Sequence, residues 1–269
     1  MEKIGVIAGR GNFPLLLASE AKLAGYDVAA ICVKGNTRRQ IKKFIPQTYW
    51  LDVTEFKKIP GIFKKEGISK VILAGQINPY LLFNSRVMSN PDVQDFFGKI
   101  EDCRADTVFK SFAKKLEQAG LELLNSTLFL EKYIPSSGVL TKRKPSQEEQ
   151  NDIKLGFIAA KHLGGIDIGQ SVCVKNGIIL AVESIEGTDN TVKRAKALSG
   201  REIVLVKASK PNQDPRFDVP VIGLKTIKNL PKKSCLAIEA GKTLFIDKEK
   251  ATHLADKKDI AIIAVEVTL

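Results

Sequence analysis

Between Lys207 and Ile227 the chain reads KASKPNQDPRFDVPVIGLKTI. Lys207, Lys210 and Arg216 are interleaved there with Asp214 and Asp218, among the turn-formers Pro211, Pro215 and Pro220. Cations neutralise phosphate oxygens, and carboxylates hold a divalent metal or an attacking water. Both signs at this spacing suit the cleavage of a phosphoanhydride. A charged surface loop ahead of a strand has the same composition, and charge pattern does not decide between the two.

A second concentration of candidate chemistry follows the apolar run IGVIA (4–8), which ends in Gly9-Arg10-Gly11. Pro14 suits the first turn of a helix reaching about Gly25. Where a strand passes through glycines into a helix, backbone N–H groups and the helix N-terminus attract phosphate. Gly9, Arg10, Gly11 and Asn12 are therefore candidates for nucleotide or diphosphate contact, with a plain strand-to-helix turn as the alternative. The turn is not a dinucleotide fingerprint, because Pro14 fills the third glycine position. The second strand also ends in Val33-Lys34, where an acidic residue would hold the ribose of NAD. Gln76, following KVILAG (70–75), suits a uracil edge, a sugar hydroxyl or the cap of a following helix. Asp106 and Thr107 suit substrate contact or an N-cap.

In the C-terminal part, Gln170, Glu183, Glu186, Thr188 and Asp189 flank one hairpin. Gly187-Thr188-Asp189, ahead of a helix, suits phosphate binding or simple capping. Capping does not account for Glu183 at the end of an apolar strand, which keeps it a candidate. Asp218 precedes Val219-Pro220 at the start of a strand, where a carboxylate could hold a metal or orient water for in-line attack. Lys207, Lys210 and Arg216 would neutralise a diphosphate. Asp214 would bind the same metal or stabilise the turn before Pro215.

Other routes to this chemistry are closed. His162 and His253 are the only histidines, too few for a dinuclear metallophosphoesterase. No Nudix-type glutamate box is present, and no serine sits in a nucleophile elbow with a histidine partner. Cys32, Cys103, Cys173 and Cys235 are scattered without zinc or disulfide spacing, which points to a reducing cytoplasm. The formal net charge of +12 favours anionic partners. Its lysines are spread over every segment, and only 7% of residues are aromatic, so nucleic acid is not expected as a partner. No apolar run reaches the roughly 18 residues that span a bilayer. MEKIGVIAG reads as a first strand, not a signal peptide.

The elements that must position these residues follow from periodicity. Strands at 4–8, 27–33, 49–52 and 70–75 alternate with helices at 14–25, 53–65 and 106–120, as in a parallel sheet with helices on both faces. IPSSGVLTKRKPSQ (134–147) lacks periodicity and reads as a connection. Beyond it come a helix over 147–163 and a hairpin over 170–183 turning at Asn176-Gly177. A helix to about Leu198, strands at 202–208 and 219–223, a second hairpin over 236–247, a short helix and a last strand at 260–267 follow. The expectation is an α/β protein of two domains. Residues 1–132 form a Rossmann-like parallel domain, 133–146 a linker, and 147–269 a mixed α/β catalytic domain.

IAGRGNFP (7–14), AGQ (74–76), DIGQSVCVKNG (167–177), AVESIEGTD (181–189) and KPNQDPRFDVPVIG (210–223) occur in an order that carries a specific resemblance. The chain resembles, over nearly its whole length, the metal-dependent UDP-2,3-diacylglucosamine pyrophosphatases of lipid A synthesis, the form unrelated to metallophosphoesterases. It departs at Arg10, where a small residue is usual, and at Pro215, where a larger one such as Met is usual. The resemblance implies Mg²⁺-dependent hydrolysis to UMP and 2,3-diacylglucosamine 1-phosphate, with attack at the phosphorus on the sugar side. It makes Asp218, in the RFD-x-P pattern, the essential carboxylate. It also implies a lipid-linked sugar nucleotide as substrate, an apolar surface between domains for the acyl chains, and a cytoplasmic protein in transient contact with the inner membrane face. A homodimer stays open, and a non-catalytic nucleotide-sugar or lipid-carrier module is the alternative function.

Overall fold

The structure, a computed structural model, describes residues 2–267. The chain divides into two compact units. The first holds the residues up to Leu130 together with Asp214–Asp218, and the second holds Glu131–Gln213 and Val219 onward.

In the first unit β1 (Lys3–Ala8), α1 (Phe13–Leu23), β2 (Asp27–Val33), β3 (Gln47–Leu51), α2 (Ile59–Lys65) and β4 (Lys70–Ala74) succeed one another. Then come α3 (Ser85–Met88), α4 (Pro91–Phe97), α5 (Ala105–Gln118) and β5 (Glu122–Leu123). All five strands are parallel, in the order β3-β2-β1-β4-β5. Strand side chains alternate between faces. Ile7, Ile31, Val71 and Leu73 accordingly pack with Phe63 of α2 and Leu116 of α5, while α1 lies against β1, β2 and β4. The helix expected over 53–65 is divided. Val53–Lys58 is a 3₁₀ turn capped by Asp52, and α2 begins only at Ile59. Glu55 leaves helical geometry at φ −92°, ψ 18°, and Pro60 brings no N–H with which to continue the ladder.

The second unit runs β6 (Gly138–Val139), α6 (Gln147–Gly165), β7 (Ser171–Lys175), β8 (Ile178–Val182), α7 (Thr188–Ser199), β9 (Val204–Lys207) and β10 (Val221–Ile222). It continues through α8 (Leu224–Asn229), β11 (Cys235–Glu239), β12 (Leu244–Phe245), α9 (Lys248–Lys257) and β13 (Ala261–Val265). Its mixed sheet has the order β6-β13-β11-β9-β7-β8, with β9, β11 and β13 parallel. Val204, Val206, Cys235 and Ala237 pack against Phe157 of α6. Leu205, Leu236 and Ile238 face the opposite core, with Val192 of α7, Ile227 of α8 and Ala251 of α9. Asn176 and Gly177, at φ 51° and 74°, turn the β7–β8 hairpin as their sequence requires.

The second expected hairpin does not form. Both edges of β11 are taken by β9 and β13, so 244–245 pairs in parallel with β10 in a separate two-stranded sheet. Residues 134–147, which lack periodicity, contribute the edge strand β6. Arg143 fixes the segment by a bidentate pair with Glu149, at 2.7 and 2.8 Å, and by a 2.7 Å bond to the Ser234 carbonyl.

Candidate active site

In the first unit the strand order reverses between β1 and β4, the position at which open parallel sheets bind ligands beyond their carboxyl ends. The residues beyond those two strands are locked together. Gly9 N donates to Ala74 O at 2.7 Å, and Arg10 N donates to Gln76 O at 2.8 Å. Arg10 and Gln76 form an isolated antiparallel bridge. The approach demands glycine on both sides. A Cβ on Gly9 would lie 2.6 Å from Gln76 O, and one on Gly75, at φ 82°, would lie 2.5 Å from Arg10 O. Gly9, Arg10, Gly11 and Gln76 are thus brought to one place. Asn12 precedes α1 without a side-chain cap, and Arg38 donates to its Oδ1 at 2.6 Å. The first turn of α1 has no acidic residue, so the positive end of its dipole is left to an anion.

Asp106 and Thr107 lie in the first turn of α5, whose N-cap is Arg104. Thr107 and Arg104 both bond to Asp102. The Arg104 bond contributes most and Thr107 next, holding the Asp102 carboxyl down at about 2. Local bonding therefore accounts for the Thr107 hydroxyl.

The Asp214–Asp218 segment belongs to this same unit. Asp214 accepts from Arg216 Nε at 3.0 Å, from Arg216 Nη2 at 2.7 Å and from the Arg216 backbone N–H at 3.0 Å. The guanidinium holds the Asp214 carboxyl below its usual range. Arg216 Nη1 also reaches Glu117 Oε1 on α5, at 2.6 Å. Phe217 stacks on Phe109 of α5, with centroids 5.7 Å apart and planes 13° from parallel. Ser126, 1% exposed, clips the segment to the sheet. Its N–H donates to Pro215 O at 2.9 Å, and its Oγ lies 2.7 Å from both Leu73 O and Arg216 O. Asp218 follows these fixed points, half-exposed, with its N–H donating to Asp214 O at 3.0 Å. The result is a loop anchored beside the end of β4, with Asp218 at its last position.

The second unit gathers buried lysines at the carboxyl ends of β9 and β11. Lys207, the last residue of β9, donates to Thr188 Oγ1 at 2.8 Å and stands 3.9 Å from Glu183 Oε2. Thr188 donates in turn to Glu183 Oε1 at 2.8 Å. Burial pushes the Glu183 carboxyl up, but the Lys207 charge and the hydroxyl bonds outweigh it and hold it low. Gln170 N reaches the same carboxylate, and Gly169 passes so close that a Cβ would lie 2.2 Å from Glu183 O. Lys210 pairs with Asp167. A third pair joins Lys161 of α6 to Glu239 at 2.7 Å, and Ser209 donates to Glu239 from both its N–H and its Oγ. Glu183, Thr188 and Lys207 are therefore one cluster. Asp189 is not part of it; it bonds Asn229 and Lys225 of α8. Nor does Thr188 or Asp189 cap α7, since Gly187 is its N-cap at φ 78°.

Sequence reasoning missed Ser126, Glu117, Ser171, Lys161, Ser209 and Glu239. Ser171 Oγ lies 3.1 Å from Thr188 Oγ1, yet a serine opening an apolar strand carries no signal of this. Glu239, ending the apolar run LAIE just as Glu183 ends LAVE, offered a signal that could have been used. Among the described residues no group of three or more His, Cys, Asp or Glu converges as a metal site.

Comparison with known proteins agrees over both units. Residues 3–133 match the family model described as the LpxI N-terminal domain, and residues 136–263 match the LpxI C-terminal domain. A protein of Caulobacter vibrioides, UDP-2,3-diacylglucosamine pyrophosphatase LpxI, is 29% identical over 99% of this chain and 98% of its own. Among solved structures, the biotin carboxylase domain of Hydrogenobacter thermophilus 2-oxoglutarate carboxylase aligns at a TM-score of 0.29. That alignment has 15% identity and covers 75% of this chain and 43% of the other, a likeness too slight to bear on function.

Proposed function

The chain belongs to the LpxI family, and on that footing we propose that it hydrolyses the diphosphate of UDP-2,3-diacylglucosamine to UMP and 2,3-diacylglucosamine 1-phosphate. The observation that carries the reading is the clipped Asp214–Asp218 loop. Four anchors, namely Ser126, Arg216, Glu117 and the Phe109–Phe217 stack, hold the segment that ends in Asp218. A water-orienting carboxylate needs such rigidity, because misplacement of the attacking oxygen by an ångström is costly in rate.

The glycine turn at 9–11 and Gln76 receive the uridine diphosphate portion, with backbone N–H groups and the α1 dipole facing the phosphates. Lys207 and Lys210, in the second unit, are cations of the kind that neutralise phosphate. Magnesium usually binds one or two protein carboxylates and takes its other ligands from water and substrate phosphate. Asp218 and the diphosphate oxygens fit that donor set. Asp214, already shared with Arg216, shapes the loop instead. The ion when bound supplies charge neutralisation on the phosphoryl oxygens. Asp218 also orients the attacking water, and Arg10 balances charge on the phosphates.

UMP release by the purified chain from authentic substrate, with Mg²⁺ and with chelator, tests this reading. Magnesium-dependent release is expected. An intact diphosphate under both conditions would leave the carrier alternative in place.

A further inference from the structure

Three loops at the carboxyl ends of β2, β1 and β4 are joined into one face of the first unit. Arg38 bonds Asn12, Arg10 bridges Gln76, and Asn78 N donates to Asn36 Oδ1 at 2.8 Å. On one side of the glycine turn lies KGNTRRQIKKF (34–44), with five cations and no carboxylate. Arg38, Arg39, Lys42 and Lys43 are exposed, and none forms an ion pair among the described residues. On the other side lies PYLLF (79–83), a 3₁₀ turn whose Tyr80 and Phe83 are 48% and 74% exposed. Neither side chain finds a ring partner among the described residues.

An outward Phe and an outward Tyr on one short turn form an exposed apolar patch, and such patches rimmed by polar residues mark interaction surfaces. Exposed apolar side chains next to unpaired cations are the combination that binds an anionic bilayer. The rings enter the headgroup region, and each cation near the surface adds to the attraction. We propose that this face docks on an anionic phospholipid surface through Tyr80 and Phe83 with Arg39 and Lys43. The glycine turn then lies between the two contacts, toward a membrane-resident substrate. This placement rests on the proposed function for its purpose, though not for its binding.

The test is sedimentation of the whole chain with vesicles of phosphatidylcholine alone or mixed with phosphatidylglycerol. Hydrolysis of detergent-dispersed substrate is measured in parallel. The wild-type chain is expected to bind the mixed vesicles and to release at high salt. Tyr80→Ser/Phe83→Ser and Arg39→Glu/Lys43→Glu should each weaken binding by at least about tenfold, with micellar hydrolysis unchanged. Lys248→Glu/Lys250→Glu on α9, an equal change in net charge, should bind as wild type does. Equal binding to both vesicle types, no effect of either double variant, or an equal effect of the α9 control would overturn the proposal. So would a parallel loss of micellar hydrolysis, which would assign these residues to the substrate. Absent hydrolysis in every form, with vesicle binding intact, would instead count against the enzymatic reading alone.

Discussion

Glu239 is 1% exposed and accepts bonds from Lys161, Ser209 and Lys242. Burial alone would push its carboxyl up, yet these donors together bring it from an ordinary 4.5 down to about 2. A carboxyl depressed in the folded state stabilises the fold above its unfolded pKa, and that stability drains away as pH falls toward the folded value. Melting temperature should therefore decline as pH drops from about 4.5 toward 2, with Glu239 a principal contributor. Glu239→Gln should flatten that part of the profile. It should also destabilise the chain by about 3–5 kcal/mol at neutral pH, because Lys161 is left charged and buried. A melting profile that keeps its acid slope in the variant would reject this role. The three buried thiols, by contrast, are inert: burial pushes Cys32 and Cys173 up to about 12, and the Cys235 thiol up as well.

At the scale of elements, the clip between Ser126 and residues 214–218 is the feature on which the site's geometry turns. Ser126→Ala removes the hydroxyl bond and leaves a buried carbonyl, at Leu73 or Arg216, without its donor. Expected is a loss of about 1–3 kcal/mol in stability and a fall in kcat of about tenfold or more, read by thermal melts and by UMP release. A kcat at the wild-type level would mean that the clip does not set the loop. Alternation of apolar runs with helical periods made β1 through β4 legible, since both signals are local to the chain. Asn176-Gly177 was legible for the same local reason. The 236–247 hairpin was misread because an apolar run cannot say whether its edges are already occupied. The clip was invisible for a related reason: Ser126 and Arg216 are 90 residues apart, and a serine after a strand has no distinctive pattern.

At the scale of the whole molecule, the two family models span nearly the entire chain, residues 3–133 and 136–263. No helix among the described residues is long and apolar enough to cross a membrane. We place attack at the sugar-side phosphorus. Hydrolysis in labelled water should then leave the label in 2,3-diacylglucosamine 1-phosphate and none in UMP; label in UMP would reverse the assignment. The basic character of the chain makes a nucleic-acid partner testable too, since such binding would weaken steeply with salt. The glycine turn, the RFD segment and Lys207 with Lys210 were all visible as residue types of the right charge. The clamp of Arg216 on Asp214 was not visible, because it is a property of the folded loop.

Turnover and substrate binding measured side by side on Asp218→Ala bear most directly on whether this carboxylate does the chemistry. The variant should bind UDP-2,3-diacylglucosamine within a few-fold of wild type while UMP release falls by about 10²–10⁴-fold. Release within a few-fold of wild type would contradict the account.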